Sequence, residues 1–171
     1  MEDEIVSYIL GDSMRIAAAL SLYGTQDEVY NRIIVLLGKQ LDVMAKKRNL
    51  RLTFDMNRDR KDSIFSYSFT IEQNLPFSIA FSWEGKYFKD GYWGFTSEND
   101  NHNEFHVKFN SLFEKGYGPE SVWPWYKELD KYGYFDDQTY IDISNGTFAK
   151  YIDEKLHEIL EKLNLPELQI A

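Results

Sequence analysis

Apolar residues along this chain recur first at helical spacing, then at every second position, then at helical spacing again. Between residues 3 and 22, Ile5, Val6, Ile9 and Leu10 form one stripe, and Ile16, Ala17 and Leu20 continue it past Gly11-Asp-Ser13, a point where the helix can break. Gly24 is read as the stop. Thr25-Gln-Asp-Glu28 has the form of a capping box, in which Thr25 accepts from the Glu28 amide while Glu28 reaches back to the Thr25 amide, so a second helix is predicted over residues 26–47. Its stripe of Ile33, Leu36, Leu37, Leu41 and Met44 keeps the helical period.

After Asn49 the period falls to two. Leu50 to Met56 reads as a strand, and Asn57 to Asp62 as the polar turn that follows it. Phe65, Tyr67, Phe69 and Ile71 then share one face while Ser66, Ser68 and Thr70 take the other, the pattern of a half-buried strand. Gln73-Asn-Leu-Pro76 turns the chain, and Phe77, Ile79, Phe81 and Trp83 repeat the alternation against Ser78, Ala80, Ser82 and Glu84. Lys89-Asp-Gly91 supplies a hairpin turn and Tyr92 to Thr96 a fourth strand, closing an antiparallel meander over residues 50–96.

Helical spacing returns with Phe105, Phe109, Leu112 and Phe113, predicting a helix over about 103–115 that stops at Gly116. Residues 117–140 are dense in Tyr, Trp, Gly and Pro and read as irregular but packed, with Tyr140 to Ile143 as a short strand. Phe148, Ile152, Leu156, Ile159, Leu160 and Leu163 mark a last helix over about 147–164, ended by Pro166. No repeat, low-complexity stretch or linker divides the chain. The expected fold is therefore α+β, a single domain over 1–171: a four-stranded antiparallel meander with N-terminal, mid-chain and C-terminal helices packed on it.

Composition narrows the setting. With 43% hydrophobic and 16% aromatic residues, a chain of 171 can bury a core without a staple. The absence of cysteine excludes a disulfide framework, a thiolate zinc site and a cysteine nucleophile, and suits a reducing compartment. The acidic start, Met1-Glu-Asp-Glu-Ile5, lacks the basic region and apolar run of a signal peptide, and no run approaches the roughly 20 apolar residues of a membrane span. The expected location is the cytoplasm, with no membrane partner. Twenty-eight acidic against 19 basic residues give a net charge of -9, which repels phosphate backbones. Lys46-Lys-Arg-Asn-Leu-Arg51 with Arg58, Arg60 and Lys61 is the one basic stretch, and its plainer reading is a helix C-terminus complementing the macrodipole, followed by a polar loop.

Candidate chemistry is sparse. Asp62, Glu84 and Lys86 give two acids and a lysine two residues beyond the second, the layout with which PD-(D/E)XK nucleases hold Mg²⁺ and activate water. Alternation puts Glu84 and Lys86 on one face, but a strand end beside a hairpin also commonly carries one acid and one lysine as a solvated pair. His102 and His106 would share a helix face beside Glu104, yet no third ligand stands at metal-site spacing, and the plainer reading is two exposed imidazoles; His157 lies among charges. No phosphate-binding glycine loop and no Gly-x-Ser-x-Gly elbow is present, and no cofactor or metal is implied. The remaining feature is aromatic: Trp123, Trp125 and Tyr126, with Trp93, Tyr87, Phe88 and Tyr92 on the hairpin and Tyr132, Tyr134 and Phe135 nearby. Such rings either fill a core or anchor an interface.

Those residues carry a resemblance. Phe77-Ser-Ile-Ala-Phe-Ser-Trp-Glu84, Gly91-Tyr-Trp-Gly-Phe95 and Val122-Trp-Pro-Trp-Tyr-Lys127, followed by a closing amphipathic helix, resemble the C-terminal region after the nuclease core in bacterial PD-(D/E)XK nuclease-like proteins. The resemblance covers roughly residues 26–165, with Trp123-Pro-Trp-Tyr126 its most specific element. It implies an accessory domain whose metal-binding acids would lie upstream, making Glu84-Gly-Lys86 coincidental. The resulting expectation leans away from an enzyme and towards a module in a bacterial or phage defence setting that engages a protein or nucleic-acid partner through Trp93, Trp123, Trp125 and Tyr126. Two rivals stand beside it: a Mg²⁺-dependent nuclease using Asp62, Glu84 and Lys86, and an acidic nucleic-acid mimic presenting Glu98, Asp100, Asp136 and Asp137.

Overall fold

The structure, a computed structural model, describes residues 2–54, 64–71, 75–85, 88–98 and 101–164, and side chains from Glu4 onward within these. The expected turn over 57–62, Asp62, Lys86, Tyr87, Asp100, Arg58, Arg60, Lys61 and Pro166 lie outside the described residues. Within them the order is α1 (Glu2–Leu10), α2 (Ser13–Lys47), β1 (Leu50–Phe54), β2 (Ile64–Ile71), β3 (Ser78–Glu84), β4 (Lys89–Thr96), α3 (His102–Phe113), β5 (Trp125–Glu128), α4 (Asp137–Ser144) and α5 (Thr147–Lys162).

The architecture is α+β with an antiparallel sheet, but the sheet has five strands rather than four. β1 to β4 form the meander, and β5 returns from the aromatic segment to pair with β4, Gly94 opposite Tyr126 and Phe95 opposite Trp125. Four residues are too few for a two-residue period to stand out, which is why this stretch reads as irregular.

Alternation decides the core. Phe65, Tyr67 and Phe69 lie opposite Trp83, Phe81 and Ile79, and Phe81 and Ile79 lie opposite Trp93 and Phe95, so one face is a continuous aromatic sheet surface. All are buried. Helices cover this face with apolar stripes: Ile34, Leu37, Leu41 and Met44 from α2, Phe109 and Phe113 from α3, and Phe148, Ile152, Leu156 and Ile159 from α5. Phe95 stacks on Phe109 with centroids 3.8 Å apart, and Phe65 on Phe88 at 4.6 Å. Each large ring buried this way contributes on the order of 2–3 kcal/mol relative to exposure.

Three local expectations are corrected. Helix α2 runs unbroken through Gly24, and Thr25 is no cap: its hydroxyl donates back to the Ser21 and Leu22 carbonyls. The true boundary is the Gly11-Asp12 break, where Asp12 Oδ1 accepts from the amides of Met14 at 2.7 Å and Arg15 at 3.3 Å. One interior glycine costs about 1 kcal/mol, which a long helix absorbs. Tyr140–Ile143 is not a strand but the middle of α4, started by Asp136, whose Oδ1 accepts from the Thr139 amide at 2.7 Å. The β3–β4 turn falls earlier than Lys89-Asp-Gly91: Gly85 has φ +75° and Phe88 φ +54°, and Lys89 already belongs to β4.

Candidate binding face

The second face of the sheet carries short polar side chains. Arg51 and Thr53 on β1, Ser66, Ser68 and Thr70 on β2, Ser78 and Ser82 on β3, and Thr96 on β4 alternate with the core aromatics, and Arg51, Thr53 and Ser66 are exposed. Thr70 and Ser78 hydroxyls meet across strands at 2.9 Å. Large rings appear on this face only towards β5, among the described residues.

There the same parity that buries Trp93 and Trp125 turns Tyr92 and Tyr126 outward. Tyr92 and Tyr126 have centroids 5.3 Å apart. Trp123, from the segment entering β5, meets Tyr92 edge to face at 5.0 Å and lies 6.2 Å from Tyr126. Tyr117 joins through a backbone bridge, its N–H donating to the Tyr126 carbonyl at 2.8 Å and its carbonyl accepting in return at 3.2 Å; their rings are 5.4 Å apart. Tyr117 is 54% exposed, and Tyr92, Trp123 and Tyr126 are half-buried.

The cluster is held from beneath. Asn110 on α3 accepts at one oxygen from Trp125 Nε1 at 3.1 Å and from the Gly116 amide at 2.9 Å, pinning the chain that brings Tyr117 to β5. Gly116 is required here, because a Cβ would lie 2.3 Å from the Trp125 ring. Gly94 lets β5 approach, since its Cβ would lie 2.3 Å from the Trp125 carbonyl. At the other end Trp83 Nε1 donates to the Tyr132 carbonyl at 2.6 Å, and the Gly91 amide to Gly133 at 2.6 Å.

Carboxylates ring the aromatics. The Tyr92 hydroxyl donates to Glu84, and the Tyr126 hydroxyl to Glu120 at 2.7 Å. Burial and then the Glu84 contact hold the Tyr92 phenol well above its ordinary value; the Glu120 hydrogen bond and then burial push Tyr126 up to about 12. Both therefore remain neutral donors at physiological pH. Beside them lies an open groove of about 510 Å³, lined by Tyr92, Tyr117, Tyr126 and Tyr134 together with Asp90 and Glu128. No lysine or arginine among the described residues lines it.

The proposed site residues separate accordingly. Trp93 is 5% exposed and Trp125 0%, so both belong to the core and present no surface to a partner, whereas Trp123 and Tyr126 sit on the open face. Glu84 stands at the end of β3 and is engaged by Tyr92; Asp62 and Lys86 lie outside the described residues. His102 Nε2 contacts the Ser97 carbonyl at 3.3 Å and His106 Nδ1 the Pro124 carbonyl at 2.9 Å, and among the described residues no group of three or more His, Asp or Glu is placed to hold a metal. In the basic stretch, Lys46 pairs with Asp42 and Arg48 with Asp153, tying α2 to α5. Asp136 caps α4, and Asp137 accepts from the Tyr30 hydroxyl at 2.8 Å.

Tyr117, Glu120 and the acid-lined groove were not foreseen. The signal was present in the parity of Trp125 and Tyr126, which becomes usable only once β5 is recognised as a strand. No family model, curated protein or solved structure matches this chain.

Proposed function

We propose that this chain is a binding module without catalytic chemistry of its own, holding a cationic segment of a protein partner against Tyr92, Tyr117, Trp123 and Tyr126. The supporting observation is a contrast: most of the molecule's large aromatics are interior, while these rings stand outward on a face otherwise rich in Ser and Thr. Exposed aromatic clusters of this kind act as rigid anchors with little entropy to lose. Their carboxylate surround, Glu84, Asp90, Glu120 and Glu128, favours a cation, and a lysine or arginine over such a ring gains about 0.5–1 kcal/mol at an exposed site. The net charge of -9 steers the same partners and repels nucleic acid. The resemblance of Trp123-Pro-Trp-Tyr126 to an accessory region is in keeping with a partner-binding role.

The reading is tested by titrating the protein with synthetic lysine- and arginine-rich peptides, and with glutamate-substituted controls, by calorimetry. Basic peptides are expected to bind with salt-sensitive affinity, weakened about tenfold or more by Trp123→Ala or Tyr126→Ala, equivalent to about 1.4 kcal/mol. Equal affinity for the acidic controls, or unchanged affinity in both variants, would refute it.

A further inference from the structure

The N-terminal third of the molecule is built unlike the rest. α2 has 35 residues, yet its first buried side chain is Ile34. Its first 20 residues therefore run about 30 Å at 1.5 Å per residue before the helix enters the core. The stripe that packs on the domain as Ile34, Leu37, Leu41 and Met44 continues outward through Tyr30, whose ring lies tilted against that of Tyr140 with centroids 4.2 Å apart, and on to Tyr23 and Leu20 at the same spacing. Those last two are 77% and 65% exposed.

The arm is a defined shape rather than a frayed end. α1 turns against α2 with a bend of 114° at Gly11-Asp12. Asp12 caps α2, and Arg15 donates to the Tyr8 carbonyl at 2.9 Å with its guanidinium 3.9 Å from the Tyr8 ring. On this fixed hairpin nine large apolar side chains, from Ile5 to Val29, are between 51% and 81% exposed, Met14 and Leu22 among them. Together they expose on the order of 800 Å² of side chain per copy, distributed around the two helices and comparable with a standard interface half. Monomeric proteins rarely leave so many large apolar side chains of one segment in water.

The chemistry of the arm selects its occupant. Residues 2–32 hold six acids against two arginines, the reverse of a helix that settles on an anionic lipid surface. No single described helix is long and apolar enough to cross a membrane, although α1 and α2 taken together reach that length and apolar composition across their 114° bend. Residues 16–26 contain no charge at all and set Ala17, Ala18, Ala19 and Gly24 beside Leu20, Leu22 and Tyr23. Small and large side chains on one uncharged length of helix supply both the holes and the knobs that a two-fold interface requires, since the same patch must serve both partners.

We infer that the α1–α2 arm is a self-association surface through which two copies of this chain pair, leaving the aromatic face of each free. The inference does not depend on the proposed function of that face. It is tested on the full chain by sedimentation equilibrium and light scattering over a wide concentration range, with the wild type, the double variant Leu20→Glu/Tyr23→Glu and a control, Lys150→Glu, on the exposed side of α5. The wild type and control are expected at twice the 20.2 kDa chain mass. The double variant is expected as a monomer, its association weakened about 100-fold or more, with unchanged far-ultraviolet dichroism and unfolding midpoint measured below the dimer range. A wild type that stays at 20.2 kDa at high micromolar concentration, or a double variant that pairs as tightly as the wild type, would overturn it. So would capture of a monomeric wild type by phosphatidylcholine vesicles, which would assign the arm to lipid.

Discussion

Trp125 and Trp123 stand two residues apart in one Trp-Pro-Trp run, yet one is the floor of the core and the other part of the open face. Trp125 is fully buried, 5.1 Å from Trp93 and 5.7 Å from Phe113, with its indole N–H spent on Asn110. Trp123 meets Tyr92 and Tyr126 and keeps part of its ring in water. The same contrast repeats on β4 between Trp93 and Tyr92. Composition cannot tell such pairs apart; strand parity divides Trp93 from Tyr92 and Trp125 from Tyr126, because successive side chains on a strand leave by opposite faces, whereas Trp123 lies ahead of β5 and follows the chain that enters it.

The contrast is broken most severely from the inside. Trp125→Ala removes the largest ring at the junction of β4, β5 and α3 and leaves Asn110 without its indole partner, so a loss of about 3–5 kcal/mol is expected in urea unfolding. Gly116→Ala comes next: its methyl would meet the Trp125 ring, and about 1–3 kcal/mol of overpacking should appear in the same assay. Trp123→Ala should cost less than about 1 kcal/mol, because its ring is already partly in water, while losing binding to basic peptides. If Trp123→Ala proved as destabilising as Trp125→Ala, the two would be equally structural.

Titration sharpens the comparison at both ends of the pH scale. On the open face the folded values of Tyr92 and Tyr126 are raised, so their contribution is present below about pH 10 and lost as pH rises through the folded values, about 12 for Tyr126. In the segment beneath, Asp130, Asp136 and Asp142 are lowered, chiefly by hydrogen bonds from Tyr151, Thr139 and Tyr132. Their contribution is present above the ordinary value of about 4 and lost as pH falls through the folded values. Tyr126→Phe should therefore flatten only the alkaline limb of a stability–pH curve, and Asp136→Asn only the acid limb.

Much of this fold could be read from the pattern of residues. The alternation in 64–71 and 78–84 assigned every core aromatic of β2 and β3, and the stripe from Phe148 to Leu160 assigned the face of α5. The failures share a physical cause. Thr25-x-x-Glu28 has the composition of a cap, but a hydroxyl inside a helix can satisfy itself on the preceding turn, as Thr25 does on Ser21 and Leu22. Tyr140-Ile-Asp-Ile143 is too short to separate strand from helix by period, and the deciding residue, Asp136, lies upstream as an N-cap. The candidate site was half legible: Trp123 and Tyr126 were named, Trp93 and Trp125 with them, and it is the pairing of β5 with β4 that divides Tyr126 from Trp93 and Trp125. The exposure of the arm was not legible, since an apolar helical stripe reads as core wherever it occurs.

The central claim, that the outward rings and not the inward ones meet a partner, is tested most directly by nuclear magnetic resonance. A lysine- and arginine-rich peptide is added to protein labelled at its aromatic side chains, and the shifts of all four tryptophan indoles and of the tyrosine rings are followed. Shifts concentrated on Trp123, Tyr92, Tyr117 and Tyr126, with Trp83, Trp93 and Trp125 unmoved, are the expected result. Shifts absent from these rings at saturating peptide, or confined to the arm or the Ser/Thr half of the sheet, would contradict the account.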